Sequence, residues 1–283
     1  MNILTFDLEE WHHLLDIKLD LTEKQKEHSI LASFTEDILE KLENNNTKAT
    51  FFCLGESASR YPSIIKKIYD SGHDIGSHSY AHNLVYEQKK SDYIDDLSKS
   101  ISTLENIIKD KVRFYRAPGF SIKSKKDLFY LDVLNEFGIT VDSSIFPALR
   151  SHGGIYNLDI RSPTILNIND RFKILEFPIS LFGLGRLKIP PLGGGYFRLL
   201  PKHLISHLVS RNNYNMSYLH PRDFITNQPK LSLPMFKFFK SYVGIESANR
   251  KFDYIFAKHN FLSISQCLNS LDLDELPEVK VNF

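Results

Sequence analysis

Cysteine is nearly absent from this chain. Cys53 and Cys267 are the only two among 283 residues, they lie far apart, and they form no metal or redox motif, which suits a reducing compartment. An excess of either charge is also missing: 35 lysines and arginines stand against 34 acids. The overall balance therefore attracts neither nucleic acid nor an anionic membrane, and any partner must be recognised locally. No apolar run approaches the ~20 residues that a membrane-spanning helix needs. The opening residues Met1 to Asp7 show no basic region leading into an apolar stretch, so no secretory signal is visible. The expectation is a cytoplasmic protein, with work at the inner membrane surface through a partner or a lipid-linked substrate left open. No internal repeat or low-complexity linker interrupts the chain. Its 42% hydrophobic and 12% aromatic content can bury a sizeable core, read here as one domain over residues 1–283.

What is present is an alternation of short β-rich runs with longer segments of helical period. Ile3 to Phe6 is followed by a helix around Phe34, Ile38, Leu39 and Leu42, and Ala49 to Phe52 by one from Tyr61 to Tyr69. The clearest helix spans about Ser91 to Asp110, with Ile94, Leu97, Ile101, Leu104 and Ile108 at spacings of three and four and Ser91 as its N-cap. Further strands are expected near residues 74–76, 112–115, 139–141, 173–177, 216–219 and 261–264. This count points to an α/β fold with a parallel, barrel-like sheet. Residues 143–195, rich in Pro and Gly, read as long ordered loops.

Several strand ends carry chemistry. His78 and His82 are four residues apart after an apolar run, the spacing that puts two imidazoles on one face of a helical turn and lets both reach one metal ion. The first strand ends Thr5-Phe6-Asp7-Leu8-Glu9-Glu10-Trp11, where Asp7 and Glu9 project to the same side; one can complete the metal site and the other can act as a general base. In Tyr115-Arg116-Ala117-Pro118-Gly119, Arg116 can hold a carboxylate and keep it ionised, and the turn exposes N–H groups to a developing oxyanion. In Leu219-His220-Pro221, His220 is eligible as a general acid. The other histidines read as bland: His73 supports a strand, and His203, His207 and His259 lie in helices. His12 or His13 could line the site, and His152 could belong to a substrate loop. Cys53 reads as a core residue.

In this order the pieces resemble the NodB-type polysaccharide deacetylases, carbohydrate esterase family four, over about Ile3 to Ile264. The branch resembled is linked to bacterial surface and extracellular polysaccharide synthesis, on Phe6 to Trp11, Asp142 to Pro147, Gly193 to Arg198 and His220 to Arg222. The resemblance implies a distorted (β/α)7-type barrel and a divalent metal, Zn²⁺ or a similar ion. It implies Asp7 as base, Glu9, His78 and His82 as metal ligands, Arg116 as the group that holds the base, the Gly119 N–H facing an oxyanion, and His220 as acid. The acid orienting His220 is ambiguous between Asp142 and Glu176, with Asp142 preferred. Leu8 stands where the family pattern has a second aspartate, so the carboxylate ligand must be Glu9, and Gly119 precedes Phe120 where the pattern has an aromatic residue first. The activity implied is removal of an N-acetyl group from an acetamido sugar in a glycan or its precursor, with Trp11, Tyr80, Tyr196 and Phe197 available to stack on sugar faces. Hydrolysis of a non-carbohydrate amide or imide, or glycan binding on a degenerate barrel, are the competing readings.

Overall fold

A computed structural model describes residues 1–13, 29–148, 153–155, 160–184 and 187–282. His152 lies outside them. The strands are β1 (Asn2–Ile3), β2 (Thr5–Leu8), β3 (Thr50–Cys53), β4 (Asp74–Ser77), β5 (Phe114–Tyr115), β6 (Val141–Asp142), β7 (Thr164–Ile168), β8 (Phe172–Glu176), β9 (Phe182–Leu184), β10 (Leu187–Ile189), β11 (Asn215–Met216) and β12 (Glu278–Val281). From β2 through β3, β4, β5 and β6 to β8 every pairing is parallel. β7 then joins β8 antiparallel and β12 joins β7 parallel, which makes the sheet mixed.

On its other side the first strand region meets 215–219: β1 pairs with β11, and Phe6 bridges Leu219. The ring is completed by a side chain. The Ser180 hydroxyl accepts from the Met216 N–H at 2.9 Å, linking the segment after β8 to β11 without a strand ladder. Seven strand segments thus surround a distorted barrel, and the sequence pattern follows from it. β2 and β3 are buried along their whole length because helices cover them outside and side chains fill them inside.

The helices bury the periodic residues: α1 (Leu31–Asn44) covers the sheet with Leu31, Phe34, Ile38, Leu39 and Leu42. α2 (Gly55–Arg60) and α3 (Pro62–Asp70) follow β3. α4 (Lys90–Ile108) starts one residue ahead of Ser91; its N-cap is Lys89 and no side chain caps it, while the Ser91 hydroxyl turns to Asp92. Phe6 stacks on Phe51 at 5.0 Å between centroids, at the centre of a core in which each fully buried aromatic or aliphatic side chain contributes ~1.5–3 kcal/mol. Residues 143–195 are not loop throughout. β7 and β8 form a hairpin, and β9 pairs antiparallel with β10. Residues 261–264 contribute one bridge, Leu262 to Ile3, before Ile264 begins a short helix.

Candidate active site

Four strand segments release their last residues at the same end of the barrel. β2 ends just after Asp7, and the Glu9 N–H turns back onto the Asp7 carbonyl at 3.0 Å, so the two acids part and take different partners.

Glu9 turns to the histidines. Its Oε1 lies 3.0 Å from His78 Nε2 and 2.9 Å from His82 Nε2, with all three side chains buried. Burial alone would raise the Glu9 pKa, but the His82 charge and the hydrogen bonds to both rings hold it well below the usual carboxylate range. His78 Nδ1–H donates to the Arg116 carbonyl at 2.8 Å, since a carbonyl can only accept. A neutral His78 therefore points its Nε2 lone pair at the carboxylate. Two imidazole nitrogens and a carboxylate oxygen converging in this way form a nitrogen–nitrogen–oxygen donor set, which suits a borderline divalent ion. These ligand atoms lie within 4.8 Å of one another. The residues present fit a metal.

The His78/His82 spacing arises differently from the helical turn expected. His78 immediately follows β4, and His82 sits in a loop where it and Ser79 adopt left-handed φ of 60° and 66°. Such φ values are uncommon outside glycine. They are held by Asp96 of α4, which accepts from the Tyr80 and Ala81 N–H groups at 2.8 and 2.9 Å, and by the Ser79 hydroxyl, which accepts from the His82 N–H. The His13 ring stands 5.5 Å from that of His82, and burial followed by the His82 charge lowers its pKa to about 3.

Asp7 turns to Arg116. Arg116 Nη1 donates to Asp7 Oδ1 at 2.6 Å and to Thr5 Oγ1 at 2.7 Å, Nη2 to Ser143 Oγ at 2.9 Å, and Nε to the Ser143 carbonyl at 3.2 Å. The guanidinium is fully buried over the Phe52 ring, 4.2 Å from its centroid. The other Asp7 oxygen, Oδ2, faces His220 Nε2 at 3.7 Å.

The acid behind His220 is not Asp142. Asp223, three residues on, accepts from the His220 N–H at 2.9 Å and faces its Nδ1 at 3.2 Å. Asp223 is itself fixed by Arg198 Nε at 2.8 Å. Burial pulls the His220 pKa down, but the Asp223 hydrogen bond and the charges of Glu9, Asp223 and Asp7 outweigh it and raise it to about 9. Burial would raise Asp223, yet its hydrogen bond with His220 and the Arg198 charge keep it below the usual range. Asp142 instead accepts from Tyr130 Oη at 2.5 Å, the Ser143 N–H at 2.9 Å and Ser144 Oγ at 2.5 Å. Ser143 and Ser144 in turn hold Arg116 and the Ala117 N–H, so Asp142 supports the arginine loop. Burial drives Asp142 upward, and burial with the Asp142 charge drives Glu176 well above its usual range. Asp223 was one turn from the predicted histidine; the signal was Asp at His+3 after a proline, the spacing of a capping residue.

Gly119 has φ 61°, a conformation glycine adopts freely, and its N–H meets no backbone carbonyl among the described residues. Three aromatic expectations fail. Trp11 is 2% exposed within the core, and the Tyr80 ring is packed against Gly55 under the Lys99 ammonium, 3.8 Å away, so neither offers a sugar platform. Phe197 is also core, whereas Tyr196 is exposed. His73 accepts from the Ala49 N–H, as a strand-supporting residue should.

Comparison with known proteins places this geometry. The polysaccharide deacetylase family profile matches residues 4–141, and a profile described as a domain of unknown function (DUF3473) matches residues 143–269. A peptidoglycan-N-acetylglucosamine deacetylase of Bacillus cereus is 39% identical over 85 residues, 30% of this chain and 31% of that protein. A chitooligosaccharide deacetylase of Azorhizobium caulinodans is 31% identical over 108 residues, 38% of this chain and 50% of that protein. The chain thus spans half or less of the length of these relatives. Among solved structures, one described as a polysaccharide deacetylase from Mycobacterium smegmatis superposes with a TM-score of 0.62 at 19% identity, covering 90% of this chain and 82% of its own. A CE4 family pseudoenzyme from Bacillus anthracis superposes at 0.51 and 16% identity, covering 98% and 69%. At under 20% identity these superpositions show the fold alone, and activity has to be argued from the side chains.

Proposed function

We propose, from the match of residues 4–141 to the polysaccharide deacetylase family profile, that this chain is a metal-dependent hydrolase removing the N-acetyl group from an acetamido sugar of a glycan or glycan precursor. One observation carries the reading. A buried, arginine-held aspartate and an aspartate-held histidine of raised pKa face each other beside a two-histidine, one-carboxylate cluster. An inactive barrel that only bound glycan would have no need of such an opposed aspartate–histidine pair.

Glu9, His78 and His82 would hold the ion, most simply Zn²⁺. When bound, it supplies Lewis acidity toward the amide carbonyl. Asp7, its Oδ1 engaged by Arg116, keeps Oδ2 to take a proton from the attacking water. His220 is protonated at neutral pH by virtue of Asp223 and gives its proton to the leaving amine. The Gly119 N–H is available to the oxyanion. The test is acetate release from a chitin oligomer by the metal-loaded protein. Asp7→Asn should reduce turnover by ~10² or more and, because the buried Arg116 loses its carboxylate partner, lower the melting temperature of a chain that still folds; wild-type turnover in that variant would remove Asp7 as the base.

A further inference from the structure

The charge balance of the chain is uneven along its length. Between Glu176 and Glu246 the sequence holds nine lysines and arginines, of which Arg198 and Arg222 are buried, and a single acid, Asp223, also buried. The same stretch holds the helix α5 (Met235–Tyr242), MFKFFKSY, none of whose residues is buried. Met235 is 88% exposed, Phe236 68% and Phe239 52%, and Tyr196 and Leu199 of the neighbouring helix Gly194–Leu199 are exposed as well. The helix is tied to the body through polar contacts at its end. Arg198 donates to the carbonyls of Lys240, Ser241 and Val243, and Tyr242 Oη accepts from the Leu231 N–H. Met235, Phe236 and Phe239 are thus left largely exposed, and the Lys240 ammonium lies over the Phe236 ring, 4.6 Å from its centroid.

We propose that this face docks on an anionic lipid surface. Exposed Met and Phe next to lysines are the composition that inserts at the headgroup boundary while the ammonium groups meet lipid phosphates. A second copy applied face to face would set lysines against lysines. A soluble acidic glycan would engage the lysines and leave Met235 and Phe236 in water. Arg198, which holds this helix, also holds Asp223 behind His220, so docking sets the catalytic mouth beside the membrane.

Flotation of the full chain with vesicles tests this and is scored without substrate, so it does not depend on the deacetylase reading. The chain should float with phosphatidylcholine vesicles containing phosphatidylglycerol and not with phosphatidylcholine alone. Phe236→Ser with Phe239→Ser, and separately Lys237→Glu with Lys240→Glu, should each lower the bound-to-free ratio by about tenfold or more. Both pairs should keep wild-type melting temperature and acetate release from a soluble oligomer. No flotation of the wild type, flotation indifferent to both pairs, or a solution dimer that the phenylalanine pair dissolves would each overturn the proposal.

Discussion

Replacing Asp223 by asparagine tests how the acid histidine is poised. The side chain keeps its size and an oxygen that can accept from the His220 N–H and from Nδ1–H, but the negative charge is gone. Among the effects that raise the His220 pKa to about 9, the Asp223 hydrogen bond comes first. A hydrogen bond to a charged partner is worth about 1.5–3 kcal/mol net, which at 1.36 kcal/mol per unit is about one to two pH units. The descending limb of the kcat/KM profile for acetate release should therefore move about one to two units toward acid. A divalent ion against Glu9 offsets that carboxylate's contribution in the loaded enzyme, so both proteins must be compared with the same metal bound. The sign for stability follows the same shift. A folded pKa above the usual 6.5 gives stability that is complete below ~6.5 and is lost as pH rises through about 9; in Asp223→Asn that contribution should be smaller and exhausted at lower pH. Arg198 loses its carboxylate, and the melting temperature should fall, though three backbone carbonyls still engage the guanidinium. If the limb stays at its wild-type position while turnover falls uniformly, Asp223 only braces the fold and the titrating group is not His220.

Asp96→Ala removes the acceptor of two loop N–H groups and should weaken metal binding about 10–100-fold with the fold retained, read by competition with a chromogenic chelator. Glu9→Gln leaves two imidazoles without a carboxylate and should lose the metal on dialysis; full retention would mean another group completes the coordination. Gly193→Ala would place a methyl 2.0 Å from the Tyr218 ring, and relieving that overlap should cost about 1–3 kcal/mol, measured by urea unfolding. Asp142→Asn should loosen the Arg116 loop and lower stability without moving the acid-side partner of His220, so its pH limb should stay where the wild type's is.

Much of the site was legible because strand ends punctuate a sequence. Asp7, Glu9, His78, Arg116 and His220 each follow an apolar run, and parallel strands must deliver such residues to one end of the barrel. Less local features were not readable. The His82 position depends on left-handed residues pinned by Asp96, fourteen positions away, and no periodicity encodes that. Trp11 carries the same letter whether it stacks on sugar or fills a core, and only the three-dimensional surroundings decide. Asp142 was preferred for its distance along the chain after Arg116, and in one respect that distance was informative, because Asp142 does serve the Arg116 loop. The hairpin β7–β8 was obscured by a Pro- and Gly-rich neighbourhood that reads as loop.

The partition of the chemistry between the two matched segments bears on the one without an assigned role. Residues 4–141 supply the cluster Glu9, His78 and His82 and the pair Asp7–Arg116. His220, Asp223 and Arg198 all come from residues 143–269. The two halves share a sheet through β6 and β8 and close the barrel where Phe6 meets Leu219. The strand that carries Asp7 is thus hydrogen-bonded to the strand that carries His220: the Asp7 N–H donates to the Leu219 carbonyl at 2.8 Å. Base and acid are held apart by backbone geometry rather than by flexible side chains alone. On this reading the second segment is the acid half of one active site.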